Sequence, residues 1–159
     1  MIDKDGCIAL ATYNRGANAR LYAACAELSD AARRQHRGAF FGSIHGTLNH
    51  LMVGDRIWMA RFRGESVPSD RLDAILYDDF EELRAARAEL DAEIAAFMEG
   101  IDDAFLDGTI RYRNNEGRDF ADPVRLILAH LFNHQTHHRG QVHAMLTQAG
   151  APSPVLDLH

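Results

Sequence analysis

The sequence predicts an all-α protein: a four-helix bundle with a small hairpin or loop before the last helix. Apolar residues recur at three- and four-residue spacing along four long stretches, as expected for helices with one buried face. The connections between these stretches are short, which favours packing of neighbouring helices against one another. At 159 residues the chain fits one domain covering residues 1–159, because domains cluster near 100–150 residues.

The first predicted helix covers residues 8–28, an alanine-rich stretch with apolar residues at helical spacing. A short helical turn through Arg34 follows, and Ser29-Asp30 is its expected cap. The second predicted helix covers residues 39–63. It is expected to stop at Gly64, because glycine readily adopts the left-handed conformation that ends many helices.

Residues 66–69 form a predicted linker, and Ser69 is the expected N-cap of the third helix. This helix is defined by an apolar stripe that ends before Gly100. The stripe consists of Leu72, Leu76, Phe80, Leu83, Leu90, Ile94 and Phe97. Arg87 falls inside the stripe, and we interpret it as a side chain with a buried stem and a charged end that reaches solvent.

The periodicity changes from Gly108 to Phe120, where extended residues flank Asn114-Asn115-Glu116-Gly117 and predict a small hairpin or extended loop. Asp122 is the expected N-cap of the fourth helix, with Pro123 at its first position. This helix is predicted to continue to about Gln148 and to end at Gly150.

The histidines give the first indication of function. His134 and His138 lie one turn apart on the fourth helix, on the face that carries its apolar residues, so both imidazoles are expected to point into the bundle. Two inward imidazoles at this spacing are suited to hold one transition-metal ion. His130 and His137 flank this face, whereas His143 is expected on the opposite, solvent side.

A third ligand is expected from the second helix, which offers His45 and His50. His45 shares the more polar arc of that helix with Asn49 and Arg56. His50 shares its side with Gly54, whose small size leaves room around an ion. The helical wheel favours His50 and leaves His45 open.

Two segments carry a resemblance to a known family. They are Ser-Ile-His-Gly-Thr-Leu-Asn-His, residues 43–50, and His-Gln-Thr-His-His-Arg-Gly-Gln, residues 134–141. With Asp55 and Trp58 they resemble the signatures of the DinB family. The resemblance implies a DinB/YfiT-like four-helix bundle, a homodimer, and a divalent metal bound by three histidines that correspond to His50, His134 and His138. Relatives include transferases for bacillithiol or mycothiol and a mycothiol-dependent isomerase.

Three histidine ligands leave a coordination position open, as in catalytic zinc sites; zinc is the expected metal, with nickel and iron as alternatives. A bound ion of this kind lowers the pKa of a thiol or water. The expected function is a metal-dependent enzyme acting on a small molecule, a thiol-dependent S-transferase that activates a low-molecular-weight thiol. The alternatives are a metal-dependent hydrolase and a metal-binding stress-response protein without catalysis.

Other residues are expected near the site. His137 and Asp55 are the predicted catalytic residues, as proton acceptors. Asn133 and Gln141 are expected to orient ligands or substrate, since a metal-bound imidazole usually donates its second N–H to such a group. Trp58 is expected in the core and in a pocket wall. Tyr13 is placed at the open end of the site by the resemblance.

Charge and cysteine content exclude other classes of protein. A net charge of −6 argues against a nucleic-acid partner, and no apolar run is long enough for a membrane span. Cys7 and Cys25 would lie about 27 Å apart on one continuous helix, too far for a disulfide. Unpaired thiols and the lack of a signal peptide predict a cytoplasmic protein.

Overall fold

The computed structural model describes residues 2–67 and 71–158. Within these residues, six helices and two strands follow in chain order: α1 (Lys4–Ala26), α2 (Asp30–Arg34), α3 (Ile44–Arg63), α4 (Phe80–Gly100), α5 (Asp103–Leu106), β1 (Thr109–Arg113), β2 (Asp119–Pro123) and α6 (Val124–Gln148).

The four long helices α1, α3, α4 and α6 form a bundle. Helices α1 and α3 each pack against both α4 and α6, so each long helix has two neighbours and the apolar core lies between all four. The predicted all-α four-helix bundle is confirmed. Cys7 and Cys25 are buried in this core as free thiols, which confirms the prediction that they are unpaired.

Side-chain caps decide where α1 and α3 begin. The Asp3 carboxylate accepts the Gly6 N–H at 2.8 Å, so α1 begins at Lys4 and the predicted start at residue 8 was too late. Ser43 caps α3 in the same way, 3.0 Å from the Gly46 nitrogen. The predicted start at residue 39 was too early because residues 39–42 form a turn, in which Gly42 has φ +76°.

The start of α4 differs most from the prediction. The Asp79 carboxylate accepts the N–H groups of Glu81 and Glu82, each at 2.9 Å, and fixes the helix start at Phe80. Leu72 and Leu76 therefore precede the helix instead of forming its first turns. The predicted cap Ser69 lies outside the described residues. The stripe from Phe80 onward is largely buried, as predicted.

The interpretation of Arg87 as a side chain that reaches solvent was wrong. Its side chain is 3% exposed, and its guanidinium forms ion pairs with Asp55 of α3 at 2.7 Å and Asp91 of α4 at 2.8 Å. A buried arginine is tolerated only with such partners. One of the two acids comes from another helix, and that pairing is not visible in the pattern of α4.

The segment before α6 is a β-hairpin, as predicted. Strands β1 and β2 pair antiparallel, with Tyr112 opposite Phe120. Asp122 and Pro123 belong to β2, and the Asp122 carboxylate accepts the Tyr112 hydroxyl at 2.9 Å. The predicted cap was therefore wrong by one residue: Pro123 occupies the cap position without a side-chain bond. Helix α6 ends at Gln148, and Gly150 has φ +75°.

No helix in the described part of the chain combines the length and the apolar character needed to cross a membrane.

Candidate metal centre

The three histidines predicted as ligands lie together where α3 packs against α6. His50 comes from α3, and His134 and His138 come from α6, one turn apart. One nitrogen of each ring lies within 4.8 Å of the corresponding nitrogen of the other two. No further histidine, cysteine or carboxylate of residues 2–67 and 71–158 joins this group.

The cluster is largely enclosed by the bundle. His50 and His138 are 5% and 7% exposed, and His134 is half-buried. The Nε2 atoms of His50 and His134 are 3.0 Å apart. Burial lowers the pKa of His50 to about 4 and that of His134 to about 3, and it also lowers the pKa of His138. The three rings are therefore neutral at pH 7.

Hydrogen bonds fix which nitrogens of His50 and His138 carry protons. The Nδ1 atom of His50 lies 2.7 Å from the Leu72 carbonyl oxygen, which only accepts, so this nitrogen donates. The Nδ1 atom of His138 donates to the Gln141 Oε1 atom at 2.8 Å. In a neutral ring the other nitrogen then carries a lone pair. Both rings therefore offer Nε2 as a ligand atom, and the bonds to Leu72 and Gln141 are those expected of groups that orient metal ligands.

This donor set fits a transition-metal ion. Because His50 Nε2 and His134 Nε2 lie so close together, a proton or a cation must lie between them to offset the repulsion of their lone pairs. Metal–nitrogen bonds of about 2.0–2.1 Å place neighbouring ligand nitrogens about 3.0–3.4 Å apart. The His50 Nε2–His134 Nε2 distance of 3.0 Å falls in that range. All three ligand nitrogens lie within 4.8 Å of one another, so the His138 ring would move inward to complete the coordination. The three histidines are close enough to hold one metal ion.

Phe41 is a contact of the centre that sequence reasoning missed. Its ring stacks on His50 with 3.6 Å between centroids and meets His138 edge-on at 5.5 Å. Phe41 belongs to the turn before α3, which was predicted as helix. Its position two residues before the Ser43 cap was the available signal, since the residues that lead into a helix pack on its first turns.

Gly54 provides the room that the sequence indicated. A Cβ atom at this position would lie 3.0 Å from His134 Cε1, closer than side chains normally approach. Only glycine lets the His134 ring lie against α3 in its present position.

A cavity of about 280 Å³ opens on the histidine cluster. His50 and His134 form one end, and the turn of the β-hairpin contributes Asn114 to Glu116. Trp58 and Arg61 of α3 form part of its wall. Trp58 also meets His130 edge-on, with 5.4 Å between ring centroids. Arg61 was not singled out from the sequence.

The remaining predicted site residues divide into two groups. Gln141 binds His138 through its oxygen and His137 Nε2 at 3.1 Å, so it joins both rings. His137 is exposed beside His138, with 4.7 Å between ring centroids, and Asn133 is exposed on α6.

Asp55 and Tyr13 have their contacts elsewhere. Asp55 is fully buried and bonds Arg87 and Gln135; burial raises its pKa, while Arg87 opposes that rise. The Tyr13 hydroxyl donates to the Leu156 carbonyl, which ties α1 to the C-terminal segment. Neither residue lines the cavity beside the histidines.

Two histidines differ from the helical-wheel interpretation. His45, assigned to a polar arc, is 2% exposed, because residues before α4 cover that face: Asn49, its hydrogen-bond partner, also bonds the Tyr77 backbone. His143 was expected in solvent but is half-buried. Its Nε2 atom lies 3.1 Å from the Pro154 carbonyl oxygen of the C-terminal segment, which covers this side of α6.

Comparison with known proteins agrees with this fold. A family model described as the DinB family matches residues 1–159, and the chain belongs to that family. It is 28% identical over 160 residues to Protein DinB of Bacillus subtilis (strain 168), covering 96% of this chain and 91% of that protein. A crystal structure of a DinB-like protein from Bacillus cereus ATCC 10987 matches with a TM-score of 0.74 at 19% identity over 95% of both chains. At that identity the match shows the fold.

Proposed function

We propose that this protein is a metal-dependent S-transferase that joins a low-molecular-weight thiol to a small electrophilic molecule. The observation that carries the proposal is the convergence of His50, His134 and His138, of which His50 and His134 line a cavity, without a fourth ligand among the described residues. A structural ion normally takes four protein ligands, whereas three ligands and an adjacent cavity suit a catalytic centre.

Residues of the chain prepare the site before substrate arrives. The Leu72 carbonyl and Gln141 hold His50 and His138 with Nε2 directed into the cluster. Phe41 covers His50 and keeps water from that side. A divalent transition metal bound here, zinc with nickel and iron as alternatives, supplies the positive charge that lowers the pKa of a thiol toward neutrality.

The proposed reaction forms a carbon–sulfur bond and breaks the bond between that carbon and its leaving group. The thiol loses its proton, and the leaving group takes the bonding electron pair. His137 is the proposed proton acceptor, because it is exposed next to His138. Asp55 is less suited to that role, since its carboxylate is enclosed in the bundle with Arg87 and Gln135.

The hydrolase alternative lacks support from Asp55 for the same reason. Metal-dependent hydrolases usually place a carboxylate base next to the metal, and neither Gln135, Thr136 nor His137 between the α6 ligands is acidic. The alternative without catalysis predicts a bound ion and no turnover.

The test is an assay of metal-loaded protein with bacillithiol, mycothiol and glutathione in turn, with monochlorobimane as electrophile. The proposal expects turnover above the uncatalysed rate with at least one thiol. It expects loss of turnover after metal removal and in His138→Ala, and its retention in His143→Ala. Absence of metal-dependent turnover with every thiol contradicts the transferase function, and ester hydrolysis under the same conditions would favour the hydrolase.

A cytoplasmic location belongs to the same proposal, because small thiols are kept reduced there and both cysteines of the chain are free. The homodimer implied by the family resemblance stays a prediction. Size-exclusion chromatography with light scattering tests it, and a mass of one chain would contradict it.

A further inference from the structure

The cavity beside the histidines contains an arginine that has no carboxylate partner among the described residues. Arg61 lies on α3 and lines the cavity together with His50 and His134. Its guanidinium donates one hydrogen bond, to the Arg113 carbonyl oxygen at 3.3 Å. Its Nε atom is buried and has no hydrogen-bond partner in the part of the chain that the structure describes. Within the described residues, no carboxylate lies within ion-pair distance of Arg61, whereas Arg63 pairs with one carboxylate and Arg87 with two.

Two aromatic rings hold this guanidinium in place. Its central carbon lies 4.6 Å from the centroid of Trp58 and 4.3 Å from that of Tyr112. Aromatic faces attract a cation, and the flat guanidinium stacks on them. Stacking uses the faces of the group and leaves its N–H donors at the edge, the arrangement that binds a planar oxyanion through two parallel hydrogen bonds.

Among the described residues, the single acid in the cavity wall does not neutralise Arg61. Glu116 lies in the hairpin turn, where its carboxylate pairs with Arg118 at 3.3 Å. Burial lowers the pKa of Arg61, because the surroundings disfavour its charge. An anion that enters the cavity would therefore form a charge-assisted hydrogen bond with Arg61 and compensate the positive charge of its partly desolvated guanidinium.

We propose that Arg61 binds a carboxylate of the electrophilic substrate. The substrate is a small monocarboxylate with a flat apolar body, which lies along Trp58 and Ile57 with its far end toward His50 and His134. One cation matches one negative charge, and a cavity of about 280 Å³ has room for one small molecule of this kind. The ligand class follows from Arg61 and the cavity; its assignment as the substrate rests on the proposed transferase function.

The test compares benzoate with benzamide, which have similar shapes but differ in charge, in ligand-observed NMR titrations. Wild type is expected to bind benzoate at least tenfold more tightly than benzamide. Arg61→Gln is expected to lose that preference, and Arg61→Lys to keep part of it. Arg63→Gln is the matched control, because Arg63 lies on the same helix but pairs with Glu93 outside this cavity. Trp58 is the single tryptophan of the chain, so its fluorescence reports whether benzoate occupies the cavity.

Equal binding of benzoate by wild type and Arg61→Gln would overturn the proposal, as would equal binding of benzoate and benzamide by wild type. If Arg61→Gln does not fold, wild type and Arg61→Lys still decide the question through their benzoate preference.

The same titration on metal-free protein and on His138→Ala separates this proposal from the transferase function. Binding through Arg61 is expected to persist in both. Binding that requires the metal would assign the carboxylate to the ion and overturn the role of Arg61, while leaving the transferase function intact. If benzoate binding persists without the metal but no thiol gives turnover, the role of Arg61 as an anion-binding residue stands and the transferase function is contradicted.

Discussion

At the scale of single residues, the buried polar groups of the bundle are stabilised by hydrogen bonds and ion pairs with residues on other helices. Arg87 of α4 pairs with Asp55 and Asp91, and Asp91 accepts hydrogen bonds from Asn18 of α1 at 3.0 and 3.1 Å. Arg139 of α6 donates a hydrogen bond to Asn14, which lies on α1 like Asn18. This network joins all four long helices through charges that water does not reach.

Loss of Arg87 is therefore expected to cost far more than loss of an exposed arginine. Arg87→Met leaves the Asp55 and Asp91 carboxylates buried without their cation, which costs about 3–5 kcal/mol of unfolding free energy. Arg84→Met, one turn earlier on α4, removes only a distant surface pair with Glu81 and costs at most about 1 kcal/mol. Urea unfolding of both variants measures the difference. Equal destabilisation would show that the buried pairs are not special.

His45 is expected to make the stability of the folded protein depend on pH. Burial, together with the nearby charge of Arg34, lowers its pKa below 6.5, while weaker contributions from the Tyr77 backbone, Asp30 and Asp78 oppose this. The unfolded chain then binds the proton more readily than the folded one. The stabilisation is fully present above pH 6.5 and is lost as the pH falls toward the lowered pKa.

Urea unfolding of metal-free protein at pH 7.5, 6.5 and 5.5 tests this against His45→Gln. Wild type is expected to lose more stability than the variant between pH 6.5 and 5.5, by at most about 1.4 kcal/mol per pH unit for one proton. The other histidines are the same in both proteins, so their contribution to the difference cancels. Parallel pH profiles would contradict the role assigned to His45.

The sequence predicted which three histidines lie together, but it did not predict most of the residues that surround them. His134 and His138 follow from helical spacing, which is local, and His50 follows from Gly54 nearby and from the family signature. The Leu72 carbonyl, Phe41 and Arg61 reach the site through loops or through partners distant in sequence. No spacing rule predicts such contacts.

At the scale of secondary-structure elements, the close approach of α3 and α6 decides the geometry of the centre. A Cβ atom at Gly54 would lie 3.0 Å from His134 Cε1, so any larger residue there requires the His134 ring to shift. The adjacent residue Asp55 accepts a hydrogen bond from Gln135, which directly follows His134 on α6. The two helices are thus held together at the level of the histidine cluster.

Gly54→Ala is expected to displace the His134 ring and to weaken zinc binding by about 10- to 100-fold, the range seen when groups that orient ligands are changed. Gly140→Ala on α6 is the control, because a Cβ atom there meets nothing within 4 Å. The control is expected to keep its affinity and to gain helix stability of up to about 1 kcal/mol. Competition with a chromophoric chelator measures both affinities, and unchanged binding in Gly54→Ala would contradict the close-contact argument.

The ends of the elements show why boundaries are harder to predict than helices. The chain offers several Ser and Asp residues near each start, and the structure uses Asp3, Ser43 and Asp79 as caps. Which of the neighbouring residues becomes the cap depends on turns such as residues 39–42, and on strand β2, which includes Asp122. Both are set by packing with other elements.

At the scale of the whole molecule, the bundle has a polar centre and a histidine cluster beside it. The apolar periodicity predicted four helices, but it does not determine which helices are neighbours. Contact of α3 with α6 brings His50 to His134 and His138, and the hairpin closes the cavity that opens on them. The family model over residues 1–159 agrees with this architecture.

The metal content of protein expressed without an affinity tag tests the central claim most directly. Elemental analysis is made on wild type, on His138→Ala and on His143→Ala, which removes a histidine of α6 outside the cluster. About one transition-metal ion per chain is expected in wild type and in His143→Ala, and almost none in His138→Ala, because two histidines bind an ion far less tightly than three. An unchanged metal content in His138→Ala would contradict the assignment of the three histidines as the metal centre.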